Sequence, residues 1–188
     1  MKFDELSLNI VDELGKSLSG ISADQAESFI KLIMDSKRVF VSGAGRSLLM
    51  LRAFAMRLMQ FGFSVFVVGE TTTPAIEPED VLIVGSGSGE TATLQIFSNK
   101  AKSIGSKLAL ITIYPDSTLG KLADVIVKIP APTTKTELHN DVKSIQPGAS
   151  LFEQSMLLFL DSIVVCLIET KQLSANNQVL MKVHANLE

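Results

Sequence analysis

The chain has 188 residues, a formal net charge of −3, and 46% apolar against 20% charged residues, which fits one globular domain with its own core. The slight acidity argues against a general nucleic-acid binder, whose footprint is a basic excess. One cysteine, Cys166, allows no internal disulfide, and two histidines, His139 and His184, make no zinc-spaced cluster. A reduced, cytoplasmic protein is expected.

The amphipathic, acidic start MKFDELSLNIVDEL lacks the pattern of a signal peptide. Ser22-Ala23-Asp24-Gln25 reads as a capping box ahead of the helical stretch AESFIKLIMDS. A strand is expected over residues 39–41, then the turn GAGRS and a run of helix formers, LLMLRAFAMRLMQF. Met50, Met56 and Met59 on that run are expected in the core, and Arg52 and Arg57 in ion pairs at an interface. Further strands are expected over 64–68, 81–84, 108–112 and 125–127, with a helix reaching about residue 104 after the third. These runs are continuously apolar rather than alternating, the mark of parallel strands covered on both faces. Strands alternating with helices imply right-handed βαβ units and a three-layer α/β domain. An order of 2-1-3-4-5 is taken, with the winding reversing between strands one and three.

Residues 131–148 hold prolines, threonines and scattered charges, and read as a long surface loop serving as lid or interaction segment. A long apolar helix over 150–171 and a short C-terminal helix follow. The longest apolar run, MLLFLDSIVVCLI, is broken by Asp161 and reads as too short to cross a bilayer. No membrane partner is expected, and Cys166 within it reads as a packing residue.

Two strand-to-helix junctions carry the chemistry. The second, Gly85-Ser86-Gly87-Ser88-Gly89-Glu90-Thr91, puts three glycines and three hydroxyls into seven residues. Glycines let a backbone approach a phosphate closely. The helix that follows presents unpaired N–H groups and a partial positive charge. Ser86, Ser88 and Thr91 add short donors. The first junction, Ser42-Gly43-Ala44-Gly45-Arg46-Ser47, would face it across the switch-point crevice. It lacks both the third glycine of a dinucleotide fingerprint and a Walker lysine. Arg46 has two readings, neutralising a phosphate or enediolate, or a surface ion pair. Glu90 at a helix start reads as a backbone-positioning residue.

SGSGET with GAGRS ahead of it resembles the sugar isomerase (SIS) domain family. GAGRSLLMLRAFAMRLMQFGF, VVGE, SIQPGASLFEQ and the terminal HANLE extend the likeness to its 6-phospho-3-hexuloisomerases, across most of the chain from Phe40 to Glu188. The resemblance implies a flavodoxin-like SIS domain spanning 1–188, with helices added at both ends. It implies interconversion of 3-hexulose 6-phosphate and fructose 6-phosphate, in formaldehyde fixation by the ribulose monophosphate route or in pentose supply. It further implies a homotetramer with no metal and no organic cofactor. The stretch TKTELHNDVKS departs from the family pattern and carries nothing over.

Moving a carbonyl along a sugar requires a base for a carbon-bound proton and an electrophile for the enediolate. From the residues alone, Glu153 is either the far half of a Ser150 capping box or a base at the mouth of an apolar helix. The resemblance makes it the base. The resemblance also gives Ser47 a substrate contact and His184 a catalytic role from a neighbouring subunit. Ser86, Gly87, Ser88, Gly89, Glu90, Thr91 and Arg46 complete the expected substrate site. Two other readings are a sugar-phosphate sensor without turnover, or an isomerase of another sugar phosphate. A nucleotide-binding flavodoxin-like protein is a weaker third.

Overall fold

A computed structural model describes residues 2–132 and 142–172 of the chain. Two helices, α1 (Phe3–Ser19) and α2 (Ala23–Asp35), lead into β1 (Val39–Gly43), α3 (Arg46–Gln60), β2 (Val65–Val67) and β3 (Val81–Gly85). Then come α4 (Ala92–Ile104), β4 (Lys107–Thr112), β5 (Val125–Lys128) and α5 (Ser150–Thr170). The five strands form one sheet in the order β2-β1-β3-β4-β5, every neighbouring pair parallel. This is the order taken from the sequence, with the reversal between β1 and β3.

The continuous apolar runs divide by strand period between two cores. Val39, Val41, Val81, Ile83, Ala109 and Ile111 face the core made with α2, α3 and α5. Phe40, Leu82, Val84, Leu108 and Leu110 face the opposite core, with Leu94 and Ala101 of α4 and with Leu119. The central strands β1, β3 and β4 therefore carry apolar residues along most of their length, because neither face meets water. The edge strands β2 and β5 are only partly buried. Sidedness by period two sets which helix covers which face.

The end of the sheet nearest the site depends on missing side chains. Gly43 and Gly85 lie abreast in the β1–β3 register. A Cβ at Gly85 would sit 2.9 Å from Met156 Sδ and 3.0 Å from Leu51 Cδ1. The absence of that carbon lets α3 and α5 close over the strand ends.

Several local expectations are corrected. The capping box at Ser22 is half formed: Ser22 Oγ accepts the Gln25 N–H, but the Gln25 side chain accepts the Lys128 N–H at 2.9 Å instead of returning to the cap. Met56 and Met59 are 48% and 45% exposed, because they fall on the outer face of α3 while Leu51, Phe54 and Leu58 take the inner one. Arg52 pairs with Glu70, and Arg57 donates to Gln60 within its own helix. β2 is shorter than the expected 64–68.

The α5 helix has 21 residues and a mean hydropathy of 1.9, enough by length and composition alone to cross a bilayer. The helix runs over the span expected from the sequence. The reading of its apolar run as too short to cross a bilayer is corrected, since one Asp161 does not bring the hydropathy down. Of its most apolar 18-residue window, 61% is nevertheless buried within the protein, against α3, α1 and α2. Asp161 itself is exposed, and Cys166 is partly buried. Of the expected loop at 131–148, the described ends are tied down: Ala131 is fully buried and Ser17 Oγ donates to the Pro130 carbonyl at 2.7 Å. The expected C-terminal helix, His139 and His184 lie outside the described residues.

Gly85→Val should destabilise the fold by about 1–3 kcal/mol, the usual cost of overpacking a filled core. Chemical denaturation would read this, and an unchanged midpoint would show that α3 and α5 do not depend on that gap.

Candidate active site

The sheet ends β1 and β3 release two loops side by side, each running into a helix N-terminus. In the first, Gly45 (φ 58, ψ −135) precedes α3, and the Leu48 N–H reaches the Gly45 carbonyl at 3.1 Å. This turn places Arg46 and Ser47 in the first turn of α3, with Ser47 9% exposed at the base of a cleft.

In the second loop the backbone is tied to two neighbouring segments. The Ser86 N–H bonds Ile111, and the Gly87 carbonyl accepts from both the Ile113 N–H at 3.1 Å and Thr112 Oγ1 at 3.2 Å. Gly89 has φ +68, and a Cβ there would lie 1.9 Å from Ser117 Oγ. Only glycine fits that backbone conformation and that gap. The Leu119 N–H closes on the Gly89 carbonyl at 3.1 Å. Glu90 accepts the Thr118 N–H at 2.8 Å and the Gln95 amide at 3.3 Å. The Thr118 N–H and then its hydroxyl hold the Glu90 carboxyl below the ordinary carboxylate value.

The hydroxyls of this loop are oriented by its own backbone. Ser86 Oγ accepts the Gly89 N–H at 3.2 Å and Ser88 Oγ accepts the Glu90 N–H at 3.2 Å. An oxygen engaged in this way sends its own hydrogen elsewhere. Thr91 is the N-cap residue of α4 but makes no side-chain cap, and its Oγ1 lies 3.5 Å from Ser86 Oγ. The first-turn amides of α4 are thus left without a side-chain acceptor, which suits an anion.

The third wall is the start of α5. Its N-cap is Ala149, with no side-chain cap, and Ser150 is the first helical residue. The capping-box reading of Glu153 is therefore overturned. Its carboxylate instead accepts from Arg46 Nε at 2.5 Å, with Glu153 12% and Arg46 58% exposed. This pair joins residues 107 positions apart, a distance at which helix periodicity carries no signal. Phe152, fully buried, lies 3.4 Å from where a Cβ of Gly87 would stand, at packing distance, so the first turn of α5 lies against the glycine-rich loop.

One cleft is thereby lined by Ser47, Ser86, Gly87, Ser88, Thr91 and Glu153, all expected from the sequence. Arg46 joins them through Glu153. Gly89 and Glu90 turn to the 117–119 segment and shape the loop from behind. Leu94, Ala149 and Phe152 also line the cleft, and Thr112 and Ser117 brace it. Sequence reasoning missed these five. Thr112 had a faint signal, as a polar residue ending the apolar strand β4.

Among the described residues no three His, Cys, Asp or Glu side chains converge as a metal centre. A wider cleft, about 350 Å³, lies between α1 and residues 142–145, lined in part by Asp12, Glu13 and Lys16. It offers no glycine-rich backbone, so width does not mark the anion site. The arrangement of the narrower cleft suits an anion at the loop and a proton transfer beside it.

Residues 32–159 match the SIS domain family. The chain is 43% identical over 188 residues, all of both chains, to a 3-hexulose-6-phosphate isomerase of Bacillus subtilis strain 168. It is 42% identical over 185 residues to one of Mycobacterium gastri, covering 98% of this chain and 90% of that one. A crystal structure of a Methanococcus jannaschii protein, for which a 3-hexulose-6-phosphate isomerase function was inferred, superposes with a TM-score of 0.80 at 32% identity over 98% of each chain. The sheet order, the family match over residues 32–159 and this likeness over the whole length agree: the chain belongs to the SIS domain family and is similar along its length to 3-hexulose-6-phosphate isomerases.

Proposed function

We propose that this protein is an isomerase that interconverts 3-hexulose 6-phosphate and fructose 6-phosphate. The observation that carries this reading is the Glu153 carboxylate in one cleft with the hydroxyls of Ser47, Ser86, Ser88 and Thr91. The phosphate is held by Ser86, Ser88, Thr91 and the start of α4, with Ser47 adding a contact from α3. Glu153 removes the proton from C2 of the 3-ketose, giving an enediol(ate) across C2 and C3. The same carboxyl returns a proton to C3, while a hydroxyl proton passes from O2 to O3. The product carries its carbonyl at C2, and no electron leaves the sugar.

Arg46 engages the base before the substrate arrives. When the sugar enters, its guanidinium moves from Glu153 to the enediolate oxygens and stabilises their developing charge. His184 of a neighbouring subunit serves the oxygen proton transfer, and the active unit is a cytoplasmic homotetramer. The whole chain forms one SIS domain with helical additions. Formaldehyde fixation or pentose supply is the setting, according to direction.

Glu153→Gln should lower kcat by about 10²–10⁴, the contribution expected of a positioned carbon base. Binding of a sugar phosphate, followed by calorimetry, should persist in that variant. Normal turnover would remove Glu153 as the base, and sugar-phosphate binding by the unaltered protein without turnover would mark a sensor. Arg46→Ala should lower kcat more than it raises KM, by about 10²-fold or less. A change confined to KM would make Arg46 a binding residue only. A monomeric mass in light scattering would contradict the shared His184.

A further inference from the structure

We propose that Glu13, on α1 and outside the cleft, is a positioning residue that sets the placement of Glu153. The proposal rests on the functional reading above. α5 begins without a side-chain cap, so the helix start needs another anchor. Glu13 supplies it. Its Oε1 accepts the Ile145 N–H at 2.7 Å. Its Oε2 accepts Ser144 Oγ at 2.7 Å and the Gln146 amide at 3.2 Å. Ser144 Oγ in turn accepts the Gln146 N–H at 3.0 Å. One carboxylate thus binds three consecutive residues of the lead-in to α5.

A second pin stands one turn along the same helix. Ser155 Oγ donates to Ser17 Oγ at 3.0 Å, and both side chains are buried. The two pins bracket Glu153 in sequence, one at 144–146 and one at 155. The span between them turns through Gly148 (φ +62) and closes with the Ser150 N–H on the Pro147 carbonyl at 3.2 Å.

An ordinary surface carboxylate on this helix behaves differently. Asp12, next to Glu13, is bound to Lys16 at 2.6 Å. Glu13 is left to the lead-in segment. Burial raises its proton affinity, but the bonds from Ser144, Ile145 and Gln146, with Lys16 nearby, outweigh that and keep the carboxyl below its usual value. Misplacing a reacting group by about 1 Å from a remote change can cost about 10²-fold in rate. Loosening one of two pins should cost less than that.

The test compares Glu13→Ala, Glu13→Gln and the control Asp12→Ala in the full chain. Glu13→Ala should lower kcat about tenfold with KM within about twofold. Glu13→Gln, which keeps one acceptor oxygen but loses the other and the charge, should fall between, and Asp12→Ala should match the unaltered protein. The primary isotope effect on kcat with substrate deuterated at C2 should rise in Glu13→Ala, since proton removal becomes more limiting. A purely structural loss would reduce the folded fraction, read by circular dichroism, and leave the isotope effect unchanged; that result overturns the proposal, as does an unaltered kcat. Amide exchange at Ile145 and Gln146 should quicken in Glu13→Ala, and unchanged exchange would remove the clamp. If the unaltered protein fails to turn over the hexulose phosphate, the functional reading fails by itself, and the exchange measurement still decides the clamp.

Discussion

The site depends on how closely α5 approaches the ends of β1 and β3. Met156 fills the space over Gly85, and Phe152 lies at ordinary packing distance from Gly87. A side chain at Gly85 would meet Met156 Sδ at 2.9 Å and hold the helix away from the loop. With that side chain absent, the first turn of α5 reaches the crevice where the sheet changes direction, the place where α/β sheets bind ligands. Glu153 comes to the cleft because its two neighbours on the helix surface, Phe152 and Met156, are seated there. Packing thus fixes where the carboxylate stands, and the apolar core and the cleft share the same contacts.

The electrostatics of the cleft follow a different logic from a lysine-based phosphate site. No lysine lines it among the described residues. The donors it offers are neutral dipoles: backbone amides, oriented hydroxyls and the ends of α3 and α4. Neutral donors suit a ligand that must be released each cycle, since full charge pairing in a confined cleft slows departure. Arg46, beside the cleft, is more than half exposed and is engaged with Glu153. Its charge is thus held apart from the dipoles of the loop.

Fold was legible in the sequence because both faces of the central strands β1, β3 and β4 are buried. That requirement writes itself as unbroken runs such as VLIVG and KLALIT, and the helix formers between them name the crossovers. The phosphate loop was legible because glycine and serine density is a local property. What failed was non-local. The Ser150–Glu153 spacing fits a cap as well as it fits a base, and only the placement of Ser150 inside α5, with Glu153 paired to Arg46 from a distant loop, removes the cap. The α3 methionines look like core because helix propensity does not say which face is outward. Phe152 and Thr112 read as ordinary core and strand residues, and their contact with Gly87 exists only once the strands are in register. Asp161 read as a break in an apolar run, yet one exposed charge on the open side of α5 leaves the helix apolar enough, by length and composition, to cross a bilayer.

The hydrogen bonds within the phosphate loop carry one more consequence. Ser86 and Ser88 each take a backbone N–H of the same loop, so their own hydrogens point away from the loop wall. Each oxygen has thereby committed one of its two lone pairs to its own backbone while keeping its hydrogen, so the loop is biased toward giving hydrogens over taking them. A group rich in acceptors, such as an ionised phosphate, matches that bias better than one that must itself donate. The polarity of the loop is thus written into its own turn, before any charged side chain is counted.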